Sequence, residues 1–242
     1  MAALRATPRP SAIVALGDGA VLVEFSDKLD LATNELIARL AQAMRARRVP
    51  WMRDIVPALA SLAIHFDPDR MDAIRALALV QALVESCLKG RLPAATNARR
   101  SVDIPVCYDP ALAIDLADIC EKTRLAPENA IKRHAACDFR VLMVGFAPGH
   151  PYLGGLDARL SVPRRATPRP RMPAGAVAIA NAQCVVYPYE IPGGWSIIGR
   201  TPLRVFDAAR AQPSLFAPAD RVRFLPIDRA QFDAIAAREG TA

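Results

Sequence analysis

GFAPGHPYLGGLD (145–157), RLSVPRRATPRPRMPAG (159–175) and AIANAQCVVYPYEIPGGWSIIGRTPLRVFD (178–207) are pieces of one stretch whose reading decides the fold. Eight of the chain's 12 glycines fall between positions 145 and 207, and Pro148-Gly149, Gly154-Gly155 and Gly193-Gly194 mark tight turns. Between the turns, Ala176 to Ala180 and Trp195 to Ile198 are apolar runs of strand length. Glycine permits positive φ and close backbone approach, while proline removes freedom before folding, so a stretch rich in both shapes a surface. Many short strands separated by regular turn signals predict a closed or nearly closed β-barrel.

Upstream, Val102, Ile104 and Val106 alternate as a strand that opens the same domain. Asp109-Pro110 predicts a short helix with Leu112, Leu116, Ile119 and Cys120 on one face, and Pro127 starts another that ends near His134. Arg140 to Phe146 is a strand, Arg221 to Pro226 the last strand, and the tail after Ile227 a terminal helix. Residues 90–100, GRLPAATNARR, are polar and turn-rich and predict a linker. Before it the order is strand, strand, helix, twice over. Ile13–Leu16 and Val21–Phe25 meet at Gly17-Asp18-Gly19, and Asp30 caps a helix that turns Leu36, Leu40 and Met44 inward. Ile55-Val56 and Leu62–Phe66 follow, then a helix opened by Asp67 or Asp69 with Leu77, Val80, Val84 and Leu88 inward. The expected fold class is therefore α+β, with a small N-terminal α/β sandwich domain at 12–92 and a β-barrel domain at 101–242.

With 242 residues, 52% of them hydrophobic and 23% charged, the chain can bury a full core. Its net charge of +7 is largely arginine, a planar donor suited to carboxylate or phosphate. The arginine run lacks the interleaved aromatics of a nucleic-acid platform and no nucleic-acid motif occurs, which disfavours that partner. Five scattered cysteines without a CxxC pair suggest neither a zinc site nor a disulfide framework. The N-terminus has no apolar h-region and no run of 18 apolar residues exists, so the expectation is a cytoplasmic protein without a membrane partner.

The chemistry-bearing residues are few. Five arginines and no acid lie between Arg159 and Gly175, and Glu190 is the only acid between Asp157 and Asp207. Glu190 can act in catalysis or pair structurally with an arginine such as Arg200. His134, at a helix end, can cap and pack or serve as a general base, and His150, in a Gly-Pro turn, is expected to be exposed. Gln183 and Asn181 can hydrogen-bond an amide or carboxylate, or simply bond backbone. No G-x-S-x-G, Walker loop, H-x-H or H-E-x-x-H is present, so no nucleophile or metal site is expected.

The blocks GFAPGHPYLGGLD, PRRATPRPRMPAG, Gln183 with Tyr187-Pro188, Glu190, PGGW and IGRTPLRVFD resemble the PxpB/KipI family. Its members go by the names of 5-oxoprolinase B component, KipI-type kinase inhibitor and allophanate hydrolase subunit 1, and it is similar to the carboxyltransferase C/D module of urea carboxylase. GDGAVLVEF, DIVPALASLAIHFDPD, DIPVCYDP and the His134 region extend the resemblance over nearly the whole chain. It implies a cyclophilin-like barrel, partner components C (PxpC/KipA-like) and A (PxpA-like), and ATP with Mg held by the complex rather than by this chain. The implied activity is hydrolysis of a cyclic amide, opening 5-oxoproline to L-glutamate. ATP is needed because a lactam is a poor electrophile and phosphorylating its oxygen gives a better leaving group. By position, the resemblance assigns catalysis to Glu190 and His134, and binding of a small anionic substrate to Arg164, Arg169, Gln183, Tyr187 and Arg200. His150 departs from the family's aromatic, Cys184 from its threonine and Ile191 from its serine. Inhibition of a sensor histidine kinase is the alternative that the KipI name implies, and a role in an allophanate hydrolase or urea carboxylase-related complex is another. Prolyl isomerisation rests on fold analogy alone.

Overall fold

A computed structural model of the chain describes residues 9–93 and 100–241. The chain forms two compact units that part within 94–99, a segment outside the described residues together with most of the expected linker.

In the first unit, β1 (Ala12–Leu16) and β2 (Ala20–Glu24) pair antiparallel across the glycine turn, and α1 (Leu31–Ala46) follows. Asp30 caps α1 by accepting from the Thr33 amide at 2.8 Å. Then come β3 (Met52–Pro57), β4 (Ser61–Phe66) and α2 (Ala73–Lys89). The sheet runs β1-β2-β4-β3, so Pro57 lies in an edge strand, where its missing N–H breaks no ladder. Leu36, Leu40 and Met44 of α1 bury against Val21, Val23 and Ile64 of the sheet. Two expectations for α2 need correction. Its cap is Asp72, bonded to the Arg75 amide at 2.8 Å, because Asp67 is engaged by Arg53 at 2.9 Å. Its fully buried stripe is Ala76, Val80, Val84 and Cys87, with Leu77 and Leu88 only partly buried beside it. A 3.6-residue period through Val80 passes close to both sets, and the smaller side chains face the core.

In the second unit β5 (Ser101–Cys107) leads into α3 (Leu116–Thr123) and α4 (Pro127–Ala135), then β6 (Phe139–Val144) and β7 (Pro151–Gly154). α3 starts later than Asp109-Pro110 predicts, since residues 109–115 form turns. β8 (Arg169–Met172), β9 (Ala176–Ala180), β10 (Gln183–Val186), β11 (Ile191–Gly193), β12 (Ser196–Arg200), β13 (Arg221–Ile227) and α5 (Arg229–Glu239) complete it. Among the described residues, seven strands close into a barrel of order β10-β7-β6-β13-β5-β12-β9, while β8 and β11 pair separately. All barrel pairings are antiparallel except β5 with β13, which run parallel from Ser101↔Arg221 to Cys107↔Ile227. A reciprocal cap between Asp228 and Gln231 starts α5.

Strand alternation sends side chains to two faces. Ile104, Val141, Leu153, Ile179, Val186 and Phe224 belong to the core that fills the barrel. The cross-strand row Tyr152, Val185, Ala178, Ile197 points the other way and joins Met172 of β8 and Ile191 of β11 in a second core. The small Ala176, Ala178 and Ala180 on that outer face leave room for the β8/β11 pair and for Tyr187 and Trp195. Among the described residues no helix is long and apolar enough to cross a membrane.

Candidate functional site

The arginine run does not act as one cationic patch. Asp115, 4% exposed, accepts from both terminal nitrogens of Arg169 at 2.7 and 2.6 Å, from Arg165 at 3.1 Å and from the Ile197 amide at 2.7 Å. This is a forked guanidinium–carboxylate pair tying the 159–175 segment to the barrel, and Asp115 in turn raises the Arg169 pKa through that bond. The expectation that Arg169 binds substrate is corrected accordingly: its charge is already matched by a buried acid. Arg164, one residue from Arg165, is exposed and makes no ion pair or hydrogen bond among the described residues.

Arg164 instead faces phenols. Tyr187 is buried, and its pKa is pushed up to about 12 by burial first and by Tyr152 second, with Arg164 pulling the other way. Tyr152 is raised by burial and again lowered in part by Arg164. The two hydroxyls and the guanidinium therefore share one neighbourhood on the outer face of β7 and β10. Gly193 lets it form, because a Cβ there would lie 2.2 Å from the Tyr187 hydroxyl and 2.8 Å from Met172.

His150 stands in the same cluster, which corrects the expectation of an exposed residue. It is 1% exposed, with ring centroids 5.0 Å from Tyr187, 5.1 Å from Tyr152 and 5.5 Å from Phe146. Trp195 closes the group at 6.1 Å from Tyr152. Neither His150 nitrogen has a hydrogen-bond partner on another described residue, and the ring's one polar contact is with its own backbone. Burial lowers its pKa to about 4, its own backbone offsetting only part, so the ring is neutral at pH 7. Leaving buried polar atoms unpaired costs about 1–3 kcal/mol each. The turn that presents it is held by Gly149, φ 79°, against whose backbone Phe206 packs so closely that a Cβ would lie 2.6 Å from it.

Phe206 also lines a cavity of about 320 Å³ with Tyr189, Arg200, Thr201 and Arg204. Arg200 donates to the Ala174 carbonyl at 2.8 Å and lies 5.9 Å over Phe232, with no carboxylate partner among the described residues. Burial, and then Arg229, disfavours its charge. Register places Arg200 beside Ala176, whose carbonyl accepts from the Tyr187 amide, so Arg200 and Tyr187 flank one position on β9.

Of the expected site residues, Arg164 and Tyr187 are neighbours on the outer face, while the Arg200 guanidinium turns to the separate cavity beside Phe206 and Phe232. Gln183 lies on the same face of β10, its amide nitrogen buried and unpartnered. Glu190 sits at the head of β11, mostly exposed, 3.6 Å from Arg171 rather than from Arg200. His134 is not with them, and its assignment to catalysis is corrected. It is fully buried inside the barrel, stacked 4.9 Å from Phe224, with Tyr108 Oη 2.8 Å from Nδ1 and Cys184 Sγ 3.6 Å from Nε2. Burial pushes its pKa down to about 3. A neutral, sealed imidazole with both nitrogens partnered is a polar core residue. Sequence reasoning missed Asp115, whose only signal is an arginine run without an acid of its own, and missed the Phe146, Tyr152 and Trp195 rings. The cluster offers neutral hydrogen-bonding groups beside the Arg164 guanidinium, a donor set suited to carboxylate and carbonyl oxygens.

Residues 11–216 match the family described as carboxyltransferase domain, subdomain C and D. The chain is 34% identical over 227 residues to the B component of 5-oxoprolinase from Bacillus subtilis, covering 90% of this chain and 94% of that one. It is 36% identical over 211 residues to the same component from Escherichia coli O157:H7, covering 87% and 94%. Among solved structures, TTHA0988 superposes with a TM-score of 0.75 at 34% identity, over 87% of this chain but 40% of its own length. The Kluyveromyces lactis urea amidolyase shares the fold, with a TM-score of 0.78 at 19% identity over 98% of this chain and 16% of that protein. The matched span takes in the first unit and the second as far as Phe216, outer-face cluster included, and the chain belongs to the carboxyltransferase subdomain C and D family.

Proposed function

We propose that this chain is the B component of an ATP-dependent 5-oxoprolinase, a hydrolase complex that opens the lactam of 5-oxoproline to L-glutamate. The observation that carries this reading is the agreement, at 34–36% identity, with two 5-oxoprolinase B components along 94% of their length. The geometry supports it. 5-Oxoproline is a small ring bearing a carboxylate and an amide carbonyl, and Arg164 and Arg200 are guanidiniums that no acid among the described residues neutralises. Tyr187 keeps its proton at neutral pH and can donate to the carbonyl oxygen as charge develops there.

Neither buried histidine, His150 in this cluster or His134 apart from it, is poised near neutrality to abstract a proton, since burial holds both well below pH 7. The proposed role is therefore to bind and orient the substrate while companion components A and C complete the machinery. As part of the same proposal, ATP and Mg are held by the assembled complex. Mixing the purified chain with its A and C partners and following glutamate release tests the reading. Release should require all three proteins together with ATP, and full activity with this chain left out would overturn it.

A further inference from the structure

The second unit buries two histidines in different ways. His134 has a partner at each nitrogen, Tyr108 and Cys184. His150, equally enclosed, has none on any other described residue. A fold that satisfies one buried imidazole completely leaves the other without a partner residue among those described, in the cluster that also holds Tyr187 and lies near Arg164. Of the three rings packed on His150, only Phe146 is largely exposed, at 67%. Phe146 also holds a backbone φ of 71°, uncommon for any residue but glycine, between Gly145 and a Gly149-containing turn. Phe146 is therefore the ring of the three least held by its surroundings.

We propose that His150 is a specificity-determining residue of this chain, whose ring N–H donates to the amide carbonyl oxygen of the substrate once Phe146 moves aside. The proposal rests on the functional reading above and deepens it: the ligand carries a carbonyl for His150 and a carboxylate for Arg164. A ring that is neutral at pH 7 keeps one donor and one acceptor, which suits a neutral amide better than a second anion would.

Two substitutions test it in the reconstituted complex. His150→Phe keeps a flat ring and removes both nitrogens; it should raise KM for 5-oxoproline about tenfold with kcat within about twofold, the scale of one neutral hydrogen bond. Because His150 loses no hydrogen bond to another described residue, the melting temperature of the full chain should hold or rise. His150→Gln, which retains a donor, should recover most of the KM. An unchanged KM in His150→Phe overturns the proposal, and so does a fall in melting temperature that marks the ring as structural. If the wild-type complex releases no glutamate, the functional reading fails separately, and His150 is judged by magnetic resonance of its ring in the full chain. Shifts on adding 5-oxoproline or 2-pyrrolidinone support the assignment, and none with either removes it.

Discussion

Arg164 and Arg169 lie five positions apart in one arginine-rich run, and their surroundings give them different tasks. Arg169 neutralises the buried Asp115 through two hydrogen bonds, so Arg169→Ala leaves a desolvated carboxylate held by Arg165 and the Ile197 amide alone. We expect a loss of about 2–3 kcal/mol in denaturant unfolding of the chain. Arg164→Ala removes no hydrogen bond or ion pair; it should leave that unfolding curve in place and raise KM for 5-oxoproline about tenfold in the complex. Equal effects of the two changes on stability would refute the division. The resemblance puts both arginines in one binding set, because position within a motif is local information. The partner that separates them, Asp115, lies 50 residues before Arg165 and 54 before Arg169. His150 was misread for a related reason: a Gly-Pro turn signals a bend in the backbone, not whether the rings of Tyr152, Tyr187 and Phe146 will close over what the turn presents.

At the scale of elements, the paired β8 and β11 form the rim that holds Tyr187 in place. Their contact depends on Gly193, where added bulk would strike the phenol oxygen and Met172 together. Gly193→Ala should therefore displace Tyr187 and lower kcat/KM at least about tenfold, with a smaller effect on melting temperature, because an ångström of misplacement is felt first in binding geometry. Activity that survives intact would place the substrate elsewhere. Most elements could be read beforehand, since apolar alternation bounded by glycine and proline marks strands such as Ala176–Ala180 and a buried period marks α1. Where reading failed, tertiary contacts had overruled a local signal. Asp109-Pro110 looks like a helix start, but the chain turns until Asp115 has reached the arginines, and only then does α3 begin. The separate pairing of β8 with β11 left no mark in the sequence either, because Pro170 and Pro192 argue against strands wherever an edge cannot be foreseen.

The whole molecule carries both buried histidines below the ordinary value of 6.5, His134 at about 3 and His150 at about 4, in each case through burial. The unfolded chain takes up protons at both sites as pH falls through about 6.5, while the native chain resists until it reaches the lower values. Stability from these groups is thus complete above about 6.5 and declines below it, down to about 4 for His150 and about 3 for His134, by up to about 1.4 kcal/mol per pH unit for each histidine. Melting followed by circular dichroism from about pH 8 to about pH 4 should show that decline, made shallower by His150→Phe; a flat profile would contradict the assigned burial. The parallel pairing of β5 with β13 bears on how such a molecule is made. The two strands that seal the barrel stand 120 positions apart, as Asp103 and Arg223 illustrate. During synthesis the cylinder must wait, its first strand unmatched at the seam, until the last one emerges from the ribosome. A premature stop before Arg221 therefore yields a gaping sheet prone to aggregation rather than a shorter version of the same protein.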